Sequence, residues 1–75
     1  MSGHTGPIVS VCFSPDGRMI VTGSWDNLAM IWDAKTGSKI GDPLKGHFSS
    51  IICVNFSKDG NMIVTGSNDE TIKIW

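Results

Sequence analysis

Four residues invite a chemical reading: His4, Thr22, Asp26 and Trp32. A hydroxyl, an imidazole and a carboxylate are the nucleophile, base and orienting group that acyl transfer requires. The same four types return 43 positions later as His47, Thr65, Asp69 and Trp75. That recurrence weighs against catalysis, because an active site is needed once whereas a scaffold element is needed in every unit. The nucleophile-elbow pattern Gly-x-Ser-x-Gly does not occur. Metal binding is no better supported. His4 and Cys12 are spaced differently from His47 and Cys53, and neither Cys-x-x-Cys nor His-x-x-x-His is present. Thr-Gly-Ser lacks the lysine and the glycine spacing of a phosphate loop. Neither enzymatic activity nor a cofactor or metal is expected.

The positions that must be held lie in a repeated stretch. Gly3 to Trp32 reappears without a gap as Gly46 to Trp75, with 17 of 30 positions identical. Ile8 to Phe13 is rich in β-branched and aromatic residues, yet its apolar positions Ile8, Val11 and Phe13 are spaced three and then two. Ile51, Val54 and Phe56 break alternation in the same way, which predicts a strand carrying a β-bulge. Ser14-Pro15-Asp16-Gly17 favours a type I turn, and Ser57-Lys58-Asp59-Gly60 keeps its Asp-Gly. Met19 to Ser24 and Leu28 to Trp32 follow as strands around the polar turn Trp25-Asp26-Asn27. Ser38 to Leu44 is a weaker fourth strand, and Pro43, which cannot donate to a ladder, places it at a sheet edge. Gly, Pro or Asp-Gly interrupts every window long enough for a helix. The count is four strands over residues 8–44 and three over residues 51–75.

Composition narrows the partners. A chain of 75 residues is one small domain, and such domains bury only about 60% of the surface that their unfolded chain exposes. Cys12 aligns with Asn55 of the other copy and Cys53 with Ser10, so the cysteines are not a built-in pair; they read as small buried groups of a reduced protein. A net charge of −1 with scattered charges supplies no footprint for a phosphate backbone, and no nucleic-acid partner is expected. No apolar run approaches the ~20 residues of a membrane span, and MSGHTGPIVS does not read as a secretory signal. The expectation is an intracellular protein, cytoplasmic or nuclear. The glycosylation sequon at Asn55 falls in an expected buried strand and is discounted.

Gly3-His4, Ser14-Pro15-Asp16-Gly17, Thr22-Gly23-Ser24, Asp26 and Trp32-Asp33 resemble, in order and spacing, the WD-repeat family, whose repeats run ~40–45 residues. Both copies carry the likeness, although Thr22 and Thr65 stand where serine is common and Trp75 is not followed by the motif's aspartate. The connecting text IGDPLKGH resembles arrays attached to fungal signalling NTPases of the NACHT type. The resemblance implies an all-β fold: residues 1–75 as a partial β-propeller, with repeat one at 3–45 and repeat two at 46–75. The first blade, about 8–44, would be four-stranded and the second, about 51–75, three-stranded, forming an arc of an incomplete ring. Repeat units seldom stand alone, so further blades are expected from a longer parent chain or from self-assembly. Within the family the four recurring residues resemble a hydrogen-bonded tetrad, Trp to Thr to His to Asp, with Trp32 and Trp75 buried. The resemblance implies a scaffold that binds proteins or peptides through loops on one face. Pro7, Val9 and Trp25 in the first copy, and Ser50, Ile52 and Asn68 in the second, are the candidates for that face.

Overall fold

The computed structural model describes residues 4–75. Gly3, the first residue of the repeated stretch, lies outside them. Seven strands follow in chain order: β1 Ile8–Phe13, β2 Met19–Ser24, β3 Ala29–Asp33, β4 Lys39–Leu44, β5 Ile51–Phe56, β6 Ile63–Ser67 and β7 Ile72–Ile74. The first four form one antiparallel meander and the last three another, with no helix among the described residues. The fold is all-β, and β4 is the outer strand of its sheet, where Pro43 requires it to be.

Both bulges fall where the broken alternation placed them. The β1–β2 register slips between Ile8 and Ser10, leaving Val9 as the extra residue. The β5–β6 register slips between Ile51 and Cys53, leaving Ile52. Strand β4 carries a larger irregularity: Ala29 pairs with Leu44 but Ile31 pairs with Ile40. The Asp-Gly turns are equally alike. Ser14 Oγ donates to Asp16 Oδ1 at 2.6 Å and accepts from Met19 N at 3.0 Å; Ser57 repeats this with Asp59 and Met62 at 2.6 and 3.0 Å. Gly17 and Gly60 close these turns at φ of 73° and 76°, where a side chain would be strained.

The next turn is less evenly matched. Asn27 and its counterpart Glu70 both adopt positive φ, 72° and 68°. Asparagine tolerates this region and glutamate does not. Replacing Glu70 with Asn should therefore stabilise the chain by about 1 kcal/mol, read as a higher urea midpoint with an unchanged slope.

The two sheets meet face to face. Val21 and Ala29 from the first sheet and Ile51, Val54 and Ile63 from the second form the main buried cluster, flanked by Cys12, Ile31, Leu44, Phe56 and Trp75. Gly23 permits this approach. A Cβ there would lie 2.6 Å from Ile51 Cγ2 and 2.9 Å from Val54 Cγ1, closer than van der Waals contact allows. One hydrogen bond also crosses the junction, from Val54 N to Ser10 Oγ at 3.1 Å.

Burial departs from the sequence reading in a consistent direction. Ile51 and Val54 are buried and Phe56 half-buried, but their counterparts Ile8, Val11 and Phe13 are 40%, 53% and 60% exposed, because among the described residues no sheet covers that side of β1. Cys53 is exposed and Cys12 half-buried, against the expectation of two buried thiols. Asn55 is exposed as well, although its strand was expected to be buried. Trp75 is only half-buried, unlike Trp32, because Lys39 of β4 pairs beside Trp32 whereas β7 has no described strand on that side.

Candidate functional site

Each recurring set of four converges on a threonine. Trp32 Nε1 donates to Thr22 Oγ1 at 2.8 Å, and His4 Nε2 lies 2.7 Å from the same oxygen. His4 Nδ1 is 2.8 Å from Asp26 Oδ2. Thr22 has one hydroxyl proton, and its oxygen already accepts from the indole. The arrangement that satisfies every group has Thr22 donating to Nε2 and His4 donating from Nδ1 to the carboxylate. The His4 and Trp32 rings are tilted by 55° with centroids 6.2 Å apart, within the range of favourable aromatic pairs.

Strand geometry supplies this convergence. Thr22 pairs with Met30 across β2–β3, and Trp32 lies two residues further along β3, on the same side of the sheet. Asp26 sits in the β2–β3 turn and also accepts from Leu28 N and Thr5 N, both at 3.0 Å. The carboxylate thus joins its own turn to the segment entering β1. Ser24, which the sequence reading passed over, adds a second tie. Its hydroxyl donates to Gly6 O at 3.2 Å and accepts from Asp26 N at 3.1 Å. The signal was available, since Ser24 and Ser67 close identical Thr-Gly-Ser triplets in the two copies.

The second set differs in one link. Trp75 Nε1 to Thr65 Oγ1 is 2.9 Å and His47 Nε2 to Thr65 Oγ1 is 2.7 Å, but His47 Nδ1 is 3.4 Å from Asp69 Oδ2 and 3.0 Å from Thr71 Oγ1. Thr71 stands where the first copy has Leu28. Its hydroxyl donates to Asp69 Oδ1 and shares the imidazole proton, so the second relay has five members. Phe48 N completes the carboxylate's shell, donating to Asp69 Oδ2 at 2.8 Å.

Hydrogen bonding lowers the carboxylate pKa values in both relays. Burial opposes ionisation of Asp26 most strongly of any single influence, yet the His4 hydrogen bond and the Leu28 and Thr5 amides together outweigh it and lower the value. For Asp69 the Thr71 hydroxyl contributes most, followed by the Phe48 amide. A carboxyl depressed in the folded state stabilises the fold above its unfolded pKa and loses that contribution as pH falls through the folded value. Stability should therefore hold above about pH 4 and fall progressively below it. Urea midpoints between pH 6 and pH 2 would show this, and an Asp26→Asn, Asp69→Asn double variant should start lower and give a flatter profile.

As a catalytic centre the arrangement is poorly placed. Thr22 and Thr65 are 0% exposed, so a substrate carbonyl has no route to either hydroxyl. Among the described residues no group of three or more His, Cys, Asp or Glu could hold a metal ion. An open depression of about 370 Å³ lies elsewhere, lined by Gly17, Arg18, Asp33, Ala34 and Lys35.

The loop candidates come together in pairs. Trp25 N donates to Pro7 O at 3.1 Å, and Asn68 N donates to Ser50 O at 3.0 Å. Val9 and Ile52 are the bulge residues, 42% and 52% exposed. Trp25 is 59% exposed, and Phe48, absent from the sequence candidates, is 90% exposed.

The sequence that carries the relay residues has a counterpart among known proteins. The WD domain, G-beta repeat family matches residues 1–33 and 37–75. The chain belongs to the WD-repeat family. Similar relatives include a periodic tryptophan protein 2 homolog of Neurospora crassa, 42% identical over 45 residues, covering 60% of this chain and 5% of the relative. Ribosome assembly protein 4 of Saccharomyces cerevisiae is 48% identical over 40 residues, 53% of this chain and 8% of the relative. An mRNA export factor of Xenopus tropicalis is 43% identical over 37 residues, 49% of this chain and 10% of the relative. The chain thus spans a small part of the length of these relatives.

Proposed function

We propose that this chain is a non-catalytic interaction scaffold, a segment of a WD-repeat propeller whose loop-bearing face binds protein or peptide partners. One observation carries the reading: large apolar side chains, Trp25 and Phe48, stand exposed on loops fastened to the strands by the relays. Rigid mounting matters because a side chain already held in place loses less entropy on binding. The relays serve as structural ties, and Pro7, Val9, Trp25, Ser50, Ile52 and Asn68, joined by Phe48, form the contact set. Relatives named for ribosome assembly and mRNA export support a role in multi-component intracellular assemblies. Placement among the fungal NACHT-associated arrays rests on the connecting text from Ile40 to His47 alone.

Peptides selected against the chain from a random display library provide the test, with affinities measured by calorimetry. Trp25→Ala should weaken the selected peptides by about 30-fold or more, the scale of an interface hot spot, while circular dichroism stays unchanged. Unaltered affinities for Trp25→Ala and for Phe48→Ala would overturn the assignment of this face.

A further inference from the structure

The β1–β2 and β3–β4 turns lie at the end of the first blade away from the loop candidates, since an antiparallel meander returns to the same end at every second turn. There the two turns are tied together, Ala34 N donating to Arg18 O at 2.9 Å. Each is also closed from within by its aspartate. Asp16 Oδ1 accepts from Ser14 Oγ and Arg18 N at 2.6 and 2.9 Å, and Asp33 Oδ1 accepts from Lys35 N and Thr36 N at 2.8 and 3.0 Å. The open depression of about 370 Å³ lies between these turns. Ale rim at Gly17 is clear, because a Cβ built there meets nothing within 4 Å. Ala34, its apolar lining residue, packs against the buried Ile20, Met30 and Trp32 and so sits on a firm base. Arg18 and Lys35 line the depression and are exposed, and neither has an ion-pair partner among the described residues, whose pairs are His4 with Asp26 and His47 with Asp69.

We infer that this depression is a second contact site, which takes the carboxylate of an aspartate or glutamate side chain on a partner protein. Charge selects the ligand. Arg18 and Lys35 against Asp33 leave the lining with an excess of one positive charge, which a carboxylate balances and a phosphate dianion oversteps. A guanidinium can hold both carboxylate oxygens at once, while the lysine adds a point charge beside it. The surroundings favour an acid as well. The turns at this end carry Arg18, Lys35, Lys39 and Lys58 against Asp16, Asp33 and Asp59, whereas the loop end carries Lys45 against Asp26, Asp69 and Glu70. The corresponding turn of the second blade keeps the backbone and drops the charge. Asn61 stands where Arg18 does, and its N–H donates to Asp59 Oδ1 at 3.0 Å just as Arg18 N–H donates to Asp16. The arginine side chain is therefore not required by the turn, which leaves it available for a ligand. This site shares no residue with the loop face, so either assignment can fail while the other stands.

Titration of the nitrogen-15-labelled chain with a capped pentapeptide, Gly-Ala-Glu-Ala-Gly, tests it by amide chemical shifts. The peptide should move the amides of Gly17, Arg18 and Lys35 in a saturable way and leave those of Trp25 and Phe48 in place, and its glutamine counterpart should move none of them. Arg18→Asn copies the residue that the second blade already carries at this position, so the variant should keep its circular dichroism spectrum. It should bind the glutamate peptide about 2- to 5-fold more weakly, the scale of one exposed ion pair, as should Lys35→Gln. The double variant should lose roughly 10-fold, and raising the salt to about 1 M should weaken the wild-type chain as well, since exposed charges are then screened. Trp25→Ala should leave the titration unaltered. Equal shifts with the glutamine peptide, or an undiminished response in the double variant, would overturn the inference. A phosphoserine peptide that bound more tightly than the glutamate peptide would overturn the choice of a carboxylate.

Discussion

Trp32→Ala should cost about 3–5 kcal/mol of folding free energy, the range for emptying a large aromatic site. The indole is 2% exposed, packs with Ile20 and Met30, and donates to Thr22. A chain with roughly 0.05–0.15 kcal/mol of stability per residue holds little beyond such a loss, so the variant should be largely unfolded at 25 °C. Thr22→Val should cost less, about 0.5–1.5 kcal/mol for each of the two relay hydrogen bonds lost, because the ring stays in place. Urea unfolding followed by far-UV circular dichroism ranks the two. If Thr22→Val proved as damaging as Trp32→Ala, the relay and not the buried ring would dominate the stability of the first blade.

Gly23→Ala is the smallest substitution with a large expected effect. Its methyl would sit 2.6 Å from Ile51 Cγ2 and 2.9 Å from Val54 Cγ1, and β2 and β5 both have ladder partners that oppose a shift. Overpacking of this kind costs about 1–3 kcal/mol, and here it acts on the junction between blades. The expected result is a lower thermal midpoint, together with faster amide exchange at Val54, whose N–H bonds Ser10 across that junction. Loss of midpoint without faster exchange at Val54 would place the strain inside the first blade.

The repeat made much of this fold readable, because two copies act as an alignment of the chain with itself. The shared break in alternation located both bulges, and Pro43 put β4 at the edge. What lies on each flank was not readable. Period-two alternation tells which residues share a face, but not whether a second sheet covers it, so Ile8 and Ile51 read alike and differ fully in exposure. The Ser10 to Val54 bond was hidden for the same reason, since it joins residues of different sheets. Thr71 entered the second relay unannounced because its counterpart is Leu28, and comparing copies highlights sameness. Phe48 was missed by a related route: attention to positions at fixed distance from each histidine passed over the residue directly beside it.

The bulges have an evolutionary consequence. Val9 and Ile52 are the residues that each ladder skips, so their partners across the sheet do not dictate what they are. Substitutions at such positions change a side chain that no ladder partner constrains. A lineage could rewrite these two side chains many times over, trying new contacts, while the strands on either side kept the same register.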